Sequence, residues 1–322
     1  MKNFDQNRLL VKVARLYYEQ ELTQLEIARQ LRLSRQKVQR LLQQAQADGI
    51  VRITIHPIPG AFIGLEKELE QRFGLREALV METSNFDDYQ IVIREVGAAA
   101  SEYLLHILQP QDSIVISWGG TMLGLVNALS ANPPRPSLRE ISVVQGLGGW
   151  GDPGHEVHAY DLTRRMAQAL GGTAVLLPAP AVAGTPAARD AIYADPFVQH
   201  SLDLGRTASL AIMGIGAPRQ DSLLMHAGNI VQWSEMQELQ QKGAVGDINL
   251  RYFDKSGQRI PSDLDDRVIG LSLEEIQAIK QVIGIAGGAA KVKAILGALN
   301  GKLINVLITD QKTAEQILAS PG

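Results

Sequence analysis

The segment Thr23–Gln46 reads TQLEIARQLRLSRQKVQRLLQQAQ and predicts two short helices joined by a tight turn. Thr23 can cap the first helix, while Glu26 reaches back to it three residues later in a capping box. Ser34 can cap the second helix, and too few residues separate the two helices for anything but a turn. Because so short a turn holds the second helix across the first, the segment predicts a helix-turn-helix.

One face of each helix is apolar, and the outer face of the second carries basic and amide side chains without acids. The predicted apolar stripes are Leu25, Ala28 and Leu31, with Ile27 beside them, and then Val38, Leu41, Leu42 and Ala45. Arginine and glutamine side chains can pair with guanine and adenine edges in the major groove. We therefore predict contacts to double-stranded DNA from Thr23, Gln24, Ser34, Arg35, Gln36, Lys37, Gln39 and Arg40.

The alternative to a DNA-binding head is a helical hairpin whose basic face is merely solvated, and the distribution of charge argues against it. Residues 1–56 hold ten basic and five acidic side chains, a net charge of +5, whereas the whole chain carries -3 and the remainder therefore -8. A basic unit joined to an acidic one concentrates phosphate binding in one place. A helix over 6–19 completes the head, and alternating residues from Val51 to Ile55 predict a wing strand.

The stretch HPIPG at 56–60 ends this unit, because neither a helix nor a strand continues through two prolines and a glycine. The predicted organisation is a winged helix-turn-helix domain at 1–56, a linker at 57–61 and a large domain at 62–322. The chain has no cysteine, which excludes disulfides and thiolate metal sites. It has no run of eighteen apolar residues and no signal-peptide core at its start, so we expect a cytoplasmic protein without a membrane partner.

In the large domain, short apolar runs alternate with helical patterns. Strands are predicted at 78–81, 113–118, 140–145, 173–178, 208–215, 246–253, 281–286 and 304–309. Helices are predicted at 62–73, 88–108, 121–130, 155–170, 184–204, 232–241, 288–299 and 311–319, with a loop at 254–266. Apolar runs are typical of strands buried on both faces, so the pattern predicts a mainly parallel α/β sheet covered by helices.

Three predicted strands end in glycine-rich turns, at the sheet edge where open parallel sheets bind ligands. The turns are SWGGTM at 117–122, QGLGGWG at 145–151 and GIAGG at 284–288. Glycine lets backbone amides approach an anion, and a following helix adds its positive end. With a hydroxyl from Thr121 and a charge from Lys291, these turns could hold a phosphate; the alternative is that the glycines only permit close packing.

Other ligands fit this edge less well. Residues 146–151 also match the dinucleotide pattern GxGxxG, but Pro153 and Gly154 follow at once and no acid ends the next strand, so NAD is not expected. His155 and His158 have a metal-binding spacing without an evident third ligand, so we expect no metal and no cofactor. No paired carboxylates or nucleophile motif is visible, and no catalytic residue is predicted.

Two aspartates lie near the predicted strand ends. Asp247, in the string KGAVGD, could accept hydrogen bonds from sugar hydroxyls, or could be a structural residue of a turn. Asp310 ends a strand and is better explained as the N-cap of the helix at 311–319. Only Asp247 is therefore a candidate ligand-binding carboxylate.

Taken together, these motifs resemble those of the SorC family of bacterial sugar-responsive transcriptional regulators. The similar strings are TQLEIARQLRLSRQKVQRLLQQAQADGIVRITI in the head and ISWGGTM, GLGGWG, KGAVGDINLRYFD, GIAGGAAKVKAILGAL and INVLITD in the body. The resemblance implies a regulator of a carbohydrate-utilisation operon, whose binding to operator DNA is modulated by a sugar or sugar phosphate. It also implies a tetramer, with an effector domain similar to ribose-5-phosphate isomerase and glucosamine-6-phosphate deaminase.

By the same resemblance, the effector would be bound by Gly119, Gly120, Thr121, Gln145, Gly148, Gly149, Asp247, Gly287, Gly288 and Lys291. Leu147 stands where one relative has a lysine that forms a Schiff base with its sugar, so covalent capture is not expected here. The competing function is a phosphosugar isomerase or deaminase that carries a DNA-binding head. Because no acid–base pair is evident, we expect a regulator and not an enzyme.

Overall fold

The computed structural model describes residues 2–51, 61–132, 140–149, 159–219 and 231–321. The chain divides into two compact units, Met1–Ile58 and Pro59–Gly322. Most of the predicted wing strand and linker lies outside the described residues, as do His155, His158 and the end of the second glycine-rich turn.

In its described residues, 2–51, the first unit forms three helices, α1 (Lys2–Tyr18), α2 (Gln24–Leu31) and α3 (Arg35–Ala47). Both predicted caps are confirmed. Glu26 Oε2 accepts a hydrogen bond from Thr23 N at 2.8 Å and the Thr23 hydroxyl accepts one from Glu26 N at 3.3 Å, while Ser34 Oγ accepts one from Lys37 N at 3.2 Å. Arg32 has a left-handed backbone (φ 50°), and it turns the chain between α2 and α3.

The predicted stripe of α2 is partly wrong. Leu25 is half exposed, whereas Ile27 and Ala28 are buried and Leu31 packs, partly buried, against the same core. In an eight-residue helix, a buried face that contains Leu25 and one that contains Ile27 fit the apolar pattern equally well. Packing against α1 and α3 decides between the two faces. The predicted stripe of α3 is confirmed: Val38, Leu41, Leu42 and Ala45 are buried, and they share one core with Leu10 and Val13 of α1.

The second unit alternates strands and helices along the chain, followed here with labels in chain order. Its first half contains α4 (Ile63–Phe73), β1 (Glu77–Met81), α5 (Tyr89–Ile107), β2 (Ser113–Ile116), α6 (Gly120–Ala131), β3 (Ser142–Gln145), α7 (Ala159–Ala169), β4 (Thr173–Val175), α8 (Pro186–Tyr193) and α9 (Pro196–Arg206). Its second half contains β5 (Leu210–Gly214), α10 (Trp233–Gln241), β6 (Gly246–Ile248), β7 (Arg251–Phe253), α11 (Leu273–Gln277), β8 (Val282–Ile285), α12 (Val292–Asn300), β9 (Val306–Asp310) and α13 (Gln311–Ala319). The helix predicted at 184–204 is two helices, because Asp195 caps a new one that begins at Pro196.

Among the described residues, seven strands form one sheet in the order β1-β9-β8-β5-β2-β3-β4, and every neighbouring pair is parallel. Successive residues of the central strands enter cores on opposite faces: Val115 belongs to one cluster and Ile116 to the other. The predicted fold class, a parallel sheet buried on both faces, is confirmed.

The strand predicted at 246–253 is wrong. Those residues form an antiparallel hairpin of β6 and β7, separate from the main sheet. The turn residues, Asn249 and Leu250, have left-handed φ values of 58° and 61°. A turn of this kind normally contains glycine, so the local sequence does not reveal it. The Asn249 amide stabilises it by donating to the carbonyls of Gly146 at 2.8 Å and Leu271 at 3.1 Å.

Candidate functional site

A cavity of about 720 Å³ lies at the carboxyl edge of the sheet. It opens where β2 and β5 are neighbours: β3 and β4 continue the sheet to one side of that pair, and β8 and β9 to the other. Such a reversal of strand order leaves a crevice between the loops that leave the two central strands. The cavity walls come from the loops after β1, β2, β5 and β8 and from the hairpin of β6 and β7.

The turn after β2 forms one wall of the cavity. Gly119 has φ 126°, a conformation that favours glycine, and it leads directly into α6. Thr121 is buried in the first turn of that helix and lines the cavity. Ser117 Oγ accepts a hydrogen bond from Gly214 N of β5 at 2.9 Å, so the ends of the two central strands are held together.

Asp247 reaches the cavity from β6. Its backbone pairs with Gly216, with Gly216 N donating to Asp247 O at 2.8 Å, and a Cβ atom on Gly216 would overlap the Asp247 carboxylate. Asp247 Oδ2 accepts a hydrogen bond from Leu250 N at 3.2 Å. Burial raises the pKa of Asp247 to about 6, and the nearby Lys291 ammonium and the Leu250 N–H oppose that rise.

Lys291 lines the cavity from the turn that follows β8. The turn begins at Gly288, whose φ is 91°, and Lys291 N donates to the Gly288 carbonyl at 2.9 Å. Gly288 N does not face an empty anion site: it donates to Asp310 Oδ2 and to Thr313 Oγ1, both at 2.8 Å. Lys291 and Asp247 thus line the same cavity. The backbone of the turn is held in place by the hydrogen bonds from Gly288 N to Asp310 and Thr313.

Sequence reasoning missed the wall formed by the loop after β1 and the start of α5. Phe86, Asp87, Tyr89 and Gln90 line the cavity there. The Glu95 carboxylate fastens this loop to α5 by accepting hydrogen bonds from Thr83 Oγ1 and Ser84 N, both at 2.9 Å. The loop contains no glycine-rich turn. The only feature of the sequence that could have indicated this wall is that the loop directly follows a predicted strand.

Six of the ten predicted effector residues line the cavity, namely Gly119, Gly120, Thr121, Asp247, Gly288 and Lys291. Gln145, Gly148, Gly149 and Gly287 do not. The side chain of Gln145 is buried and bonded to Leu147 O at 2.6 Å and Leu177 N at 3.3 Å. A Cβ atom on Gly148 would overlap the Pro180 carbonyl, and one on Gly149 the Tyr160 ring. These two glycines therefore allow close packing. They follow β3, which lies on the side of β2 away from β5 and so away from the cavity.

In the first unit, the predicted DNA-contacting residues lie on the outer surface of α3 and at the start of α2. Arg35, Gln36, Lys37, Gln39 and Arg40 are all exposed, while the apolar stripe of α3 is buried. Thr23 and Ser34 are exposed at the two helix N-termini, and Gln24 is partly buried. Exposed arginine and glutamine side chains on one helix are a composition suited to reading base edges.

The part of the chain that the structure describes contains no cluster of three or more His, Asp or Glu side chains that could hold a metal ion. Within the same residues, no helix is both long enough and apolar enough to span a membrane.

Comparison with known proteins relates both units to one group of proteins. A family model for a sugar-binding domain matches residues 60–319. The sorbitol operon regulator of Klebsiella pneumoniae is 32% identical over 99% of this chain and 100% of its own. The deoxyribonucleoside regulator of Bacillus subtilis is 32% identical over 98% of both chains. The crystal structure of the full-length K. pneumoniae regulator SorC superposes with a TM-score of 0.73, covering 97% of this chain and 98% of that one.

Proposed function

This chain belongs to the SorC family of sugar-binding transcriptional regulators, and we propose that it binds operator DNA through α3 under the control of a sugar phosphate held in the cavity. In this proposal the operator belongs to a carbohydrate-utilisation operon, and the protein acts in the cytoplasm. The relatives compared above are named as regulators, and no catalytic residue is assigned.

The observation that carries the proposal is the pairing of Lys291 and Asp247 at one cavity. A sugar phosphate presents an anion at one end and several hydroxyl groups along its length. The Lys291 ammonium is suited to the phosphate, and the Asp247 carboxylate accepts hydrogen bonds from hydroxyls. Thr121 and the backbone around Gly119 offer further polar groups on the wall after β2. A neutral sugar would use only part of this set.

A thermal-shift panel tests this assignment directly. The panel contains D-ribose 5-phosphate, 2-deoxy-D-ribose 5-phosphate, D-glucitol 6-phosphate, free D-glucitol and NAD. At least one sugar phosphate is expected to raise the melting temperature of the protein, because a ligand that binds only the folded state stabilises it. Stabilisation by NAD alone would contradict the proposal. Turnover of D-ribose 5-phosphate or D-glucosamine 6-phosphate would favour the competing isomerase or deaminase function.

The DNA-binding surface makes a separate prediction. Replacing Gln36 or Gln39 with alanine should relax sequence preference, because a good bidentate base contact contributes roughly 1–3 kcal/mol of discrimination. Lys37→Ala should weaken specific and random duplexes alike and reduce the salt dependence of binding. Fluorescence anisotropy with operator and scrambled duplexes measures both effects. If all three variants behaved like the parent on both duplexes, α3 would not be the recognition helix.

Assembly is a further expectation. A head of this size reads few base pairs, and two heads on a palindromic operator lie about 34–36 Å apart, one helical turn of DNA. We therefore propose a homo-oligomer, at least a dimer and, by family resemblance, a tetramer. Sedimentation velocity at micromolar concentration should show the oligomer with and without DNA, and a monomer under both conditions would contradict it.

The raised pKa of Asp247 predicts pH-dependent binding of the sugar phosphate. Above about pH 6 the carboxylate is ionised and accepts strong hydrogen bonds, and below it the group is protonated, so affinity should fall as the pH drops through 6. The expected loss is roughly tenfold. A phosphate monoester also titrates near pH 6, so the measurement compares the parent with Asp247→Asn by calorimetry. The Asp247→Asn variant should keep only the pH dependence that comes from titration of the phosphate itself. Identical pH profiles for the parent and the variant would show that the Asp247 carboxylate does not bind the sugar phosphate.

A further inference from the structure

The turn that carries Lys291 is bonded to the first turn of the C-terminal helix α13. Gly288 N donates to Asp310 Oδ2 and Thr313 Oγ1, the Thr313 hydroxyl donates to Asp310 Oδ2 at 2.6 Å, and Thr313 N donates to Asp310 Oδ1 at 2.9 Å. Asp310 and Thr313 are buried. Because an unmet buried hydrogen bond is costly, the Gly288 turn and the start of α13 must move together.

Gly287 explains why this contact can form. A Cβ atom at position 287 would lie 2.5 Å from Asp310 Oδ2 and 3.0 Å from the Val92 side chain. The absence of a side chain therefore lets the Asp310 carboxylate approach the turn. This is the structural role of a glycine that does not line the cavity.

The other end of α13 is bonded to α4. Arg72, on α4, donates through Nη1 to Leu318 O at 2.6 Å and Ile317 O at 3.3 Å, and through Nη2 to Ser320 O at 2.6 Å. The last carbonyls of a helix lack the usual donor four residues later, although the Ile317 carbonyl also accepts a hydrogen bond from Ser320 N at 3.2 Å. A cation at this helix end is favourable. The two helices also pack together, with Leu69 of α4 in the same core as Ile317.

Helix α4 is also held on β1, which is one of the two edge strands of the described sheet. Glu66 Oε1 accepts a hydrogen bond from Val80 N and Glu70 Oε1 accepts one from Ala78 N, both at 3.0 Å. In the sequence, α4 begins at Ile63, shortly after the first unit ends at Ile58. A displacement of α4 would therefore act on the segment that leads to the DNA-binding unit.

We propose that α13 is the rigid connection through which occupancy of the cavity reaches α4. Asp310 and Thr313 are positioning residues for the Lys291 turn, and Arg72 receives the displacement about 13 Å away, the length of a nine-residue helix. An anion that draws Lys291 inward would pull the turn, the cap and the helix as one body. The inference rests on the proposed function for the identity of the ligand, but the mechanical link exists without it.

Hydrogen exchange in the ligand-free protein tests the link at both ends. Thr313→Val removes the hydroxyl at the cavity end and should speed exchange in a peptide covering 63–73 at the far end. Arg72→Met should likewise speed exchange in a peptide covering 286–293. Coupling of two sites is reciprocal, so both effects are expected. Thr313→Val loses a buried hydrogen bond and should speed exchange roughly tenfold, whereas the hydrogen bonds of Arg72 are mostly exposed and Arg72→Met should have a smaller effect. If each variant altered only its own end, the inference would be overturned.

Matched controls separate coupling from general loosening. Lys67 is exposed on α4, so Lys67→Met removes a cation from the same helix and should leave 286–293 unchanged. Thr313→Ser restores a hydroxyl and should return 63–73 toward the parent rate. A peptide covering 233–241 reports global opening. If Thr313→Val loosens the whole unit, Arg72→Met decides the question, since Arg72 is exposed and its replacement keeps the core intact.

A second arm adds D-ribose 5-phosphate at saturating concentration. In the parent, exchange should slow in both 286–293 and 63–73, whereas in Arg72→Met it should slow only in 286–293. Equal slowing of 63–73 in both proteins would overturn the inference. Failure of D-ribose 5-phosphate and the rest of the panel to bind would contradict the proposed function instead, because the ligand-free arm decides the link.

Discussion

Asp265→Asn should lower the free energy of unfolding by about 3–5 kcal/mol, the usual cost of leaving one partner of a buried ion pair uncompensated. Arg251 Nη1 lies 3.0 Å from Asp265 Oδ1 and 2.7 Å from the Asp265 carbonyl. Arg259 Nη1 lies 2.5 Å from the second carboxylate oxygen. The side chains of Arg251 and Asp265 are only 7% and 3% exposed, so water cannot replace the lost charge.

Urea denaturation followed by circular dichroism measures this loss. Asp266 is the next residue of the same short 3-10 turn and is exposed, so Asp266→Asn is the matched control and should stay within about 0.5 kcal/mol of the parent. If the urea midpoint of Asp265→Asn equalled that of the control, the buried Arg251 charge would not need the Asp265 carboxylate for the stability of the fold. The consequence reaches the cavity as well, because Arg251 begins β7 of the hairpin that carries Asp247.

Lys291→Met should weaken binding of the sugar phosphate roughly 10- to 150-fold, the range expected from losing one charge-assisted hydrogen bond. Asp247→Asn should cause a loss of similar size but of a different kind. Without Lys291 the protein should no longer prefer a phosphorylated sugar to the free one. Without the Asp247 carboxylate it should keep that preference and discriminate poorly between sugars that differ in one hydroxyl. Calorimetric titration of matched phosphorylated and free sugars measures both preferences.

Lys293→Met provides the control for Lys291→Met, since Lys293 lies two residues later at the start of α12, is exposed and does not line the cavity. Gly216→Ala provides an independent route to the effect of Asp247, because the added methyl would displace the carboxylate without changing its charge. Operator affinity in the absence of sugar should remain at the parent level in all four variants. Unchanged sugar binding in both Lys291→Met and Asp247→Asn would place the ligand outside this cavity.

Much of the fold was accessible from residues that are neighbours in the sequence. The capping box of Thr23 and Glu26, the cap at Ser34 and the cap at Asp310 all depend on groups within three residues. The apolar runs of the strands likewise predicted a buried parallel sheet without knowledge of strand order. Local hydrogen bonding and apolar periodicity were sufficient for these features.

The composition of the cavity depended on strand order, which no local pattern contains. Three glycine-rich turns looked equivalent, yet among the described residues only those of the turns after β2 and β8 border the cavity, because β3 lies beyond β2. The hairpin turn at Asn249 and Leu250, which lacks glycine, and the wall around Phe86 were also not visible. Gly216 became significant only when Asp247 was found packed against it. The sequence by itself determined most of the elements and the caps at Thr23, Ser34 and Asp310. Long-range packing decided which turns met, since contacts between distant segments depend on the arrangement of the whole sheet.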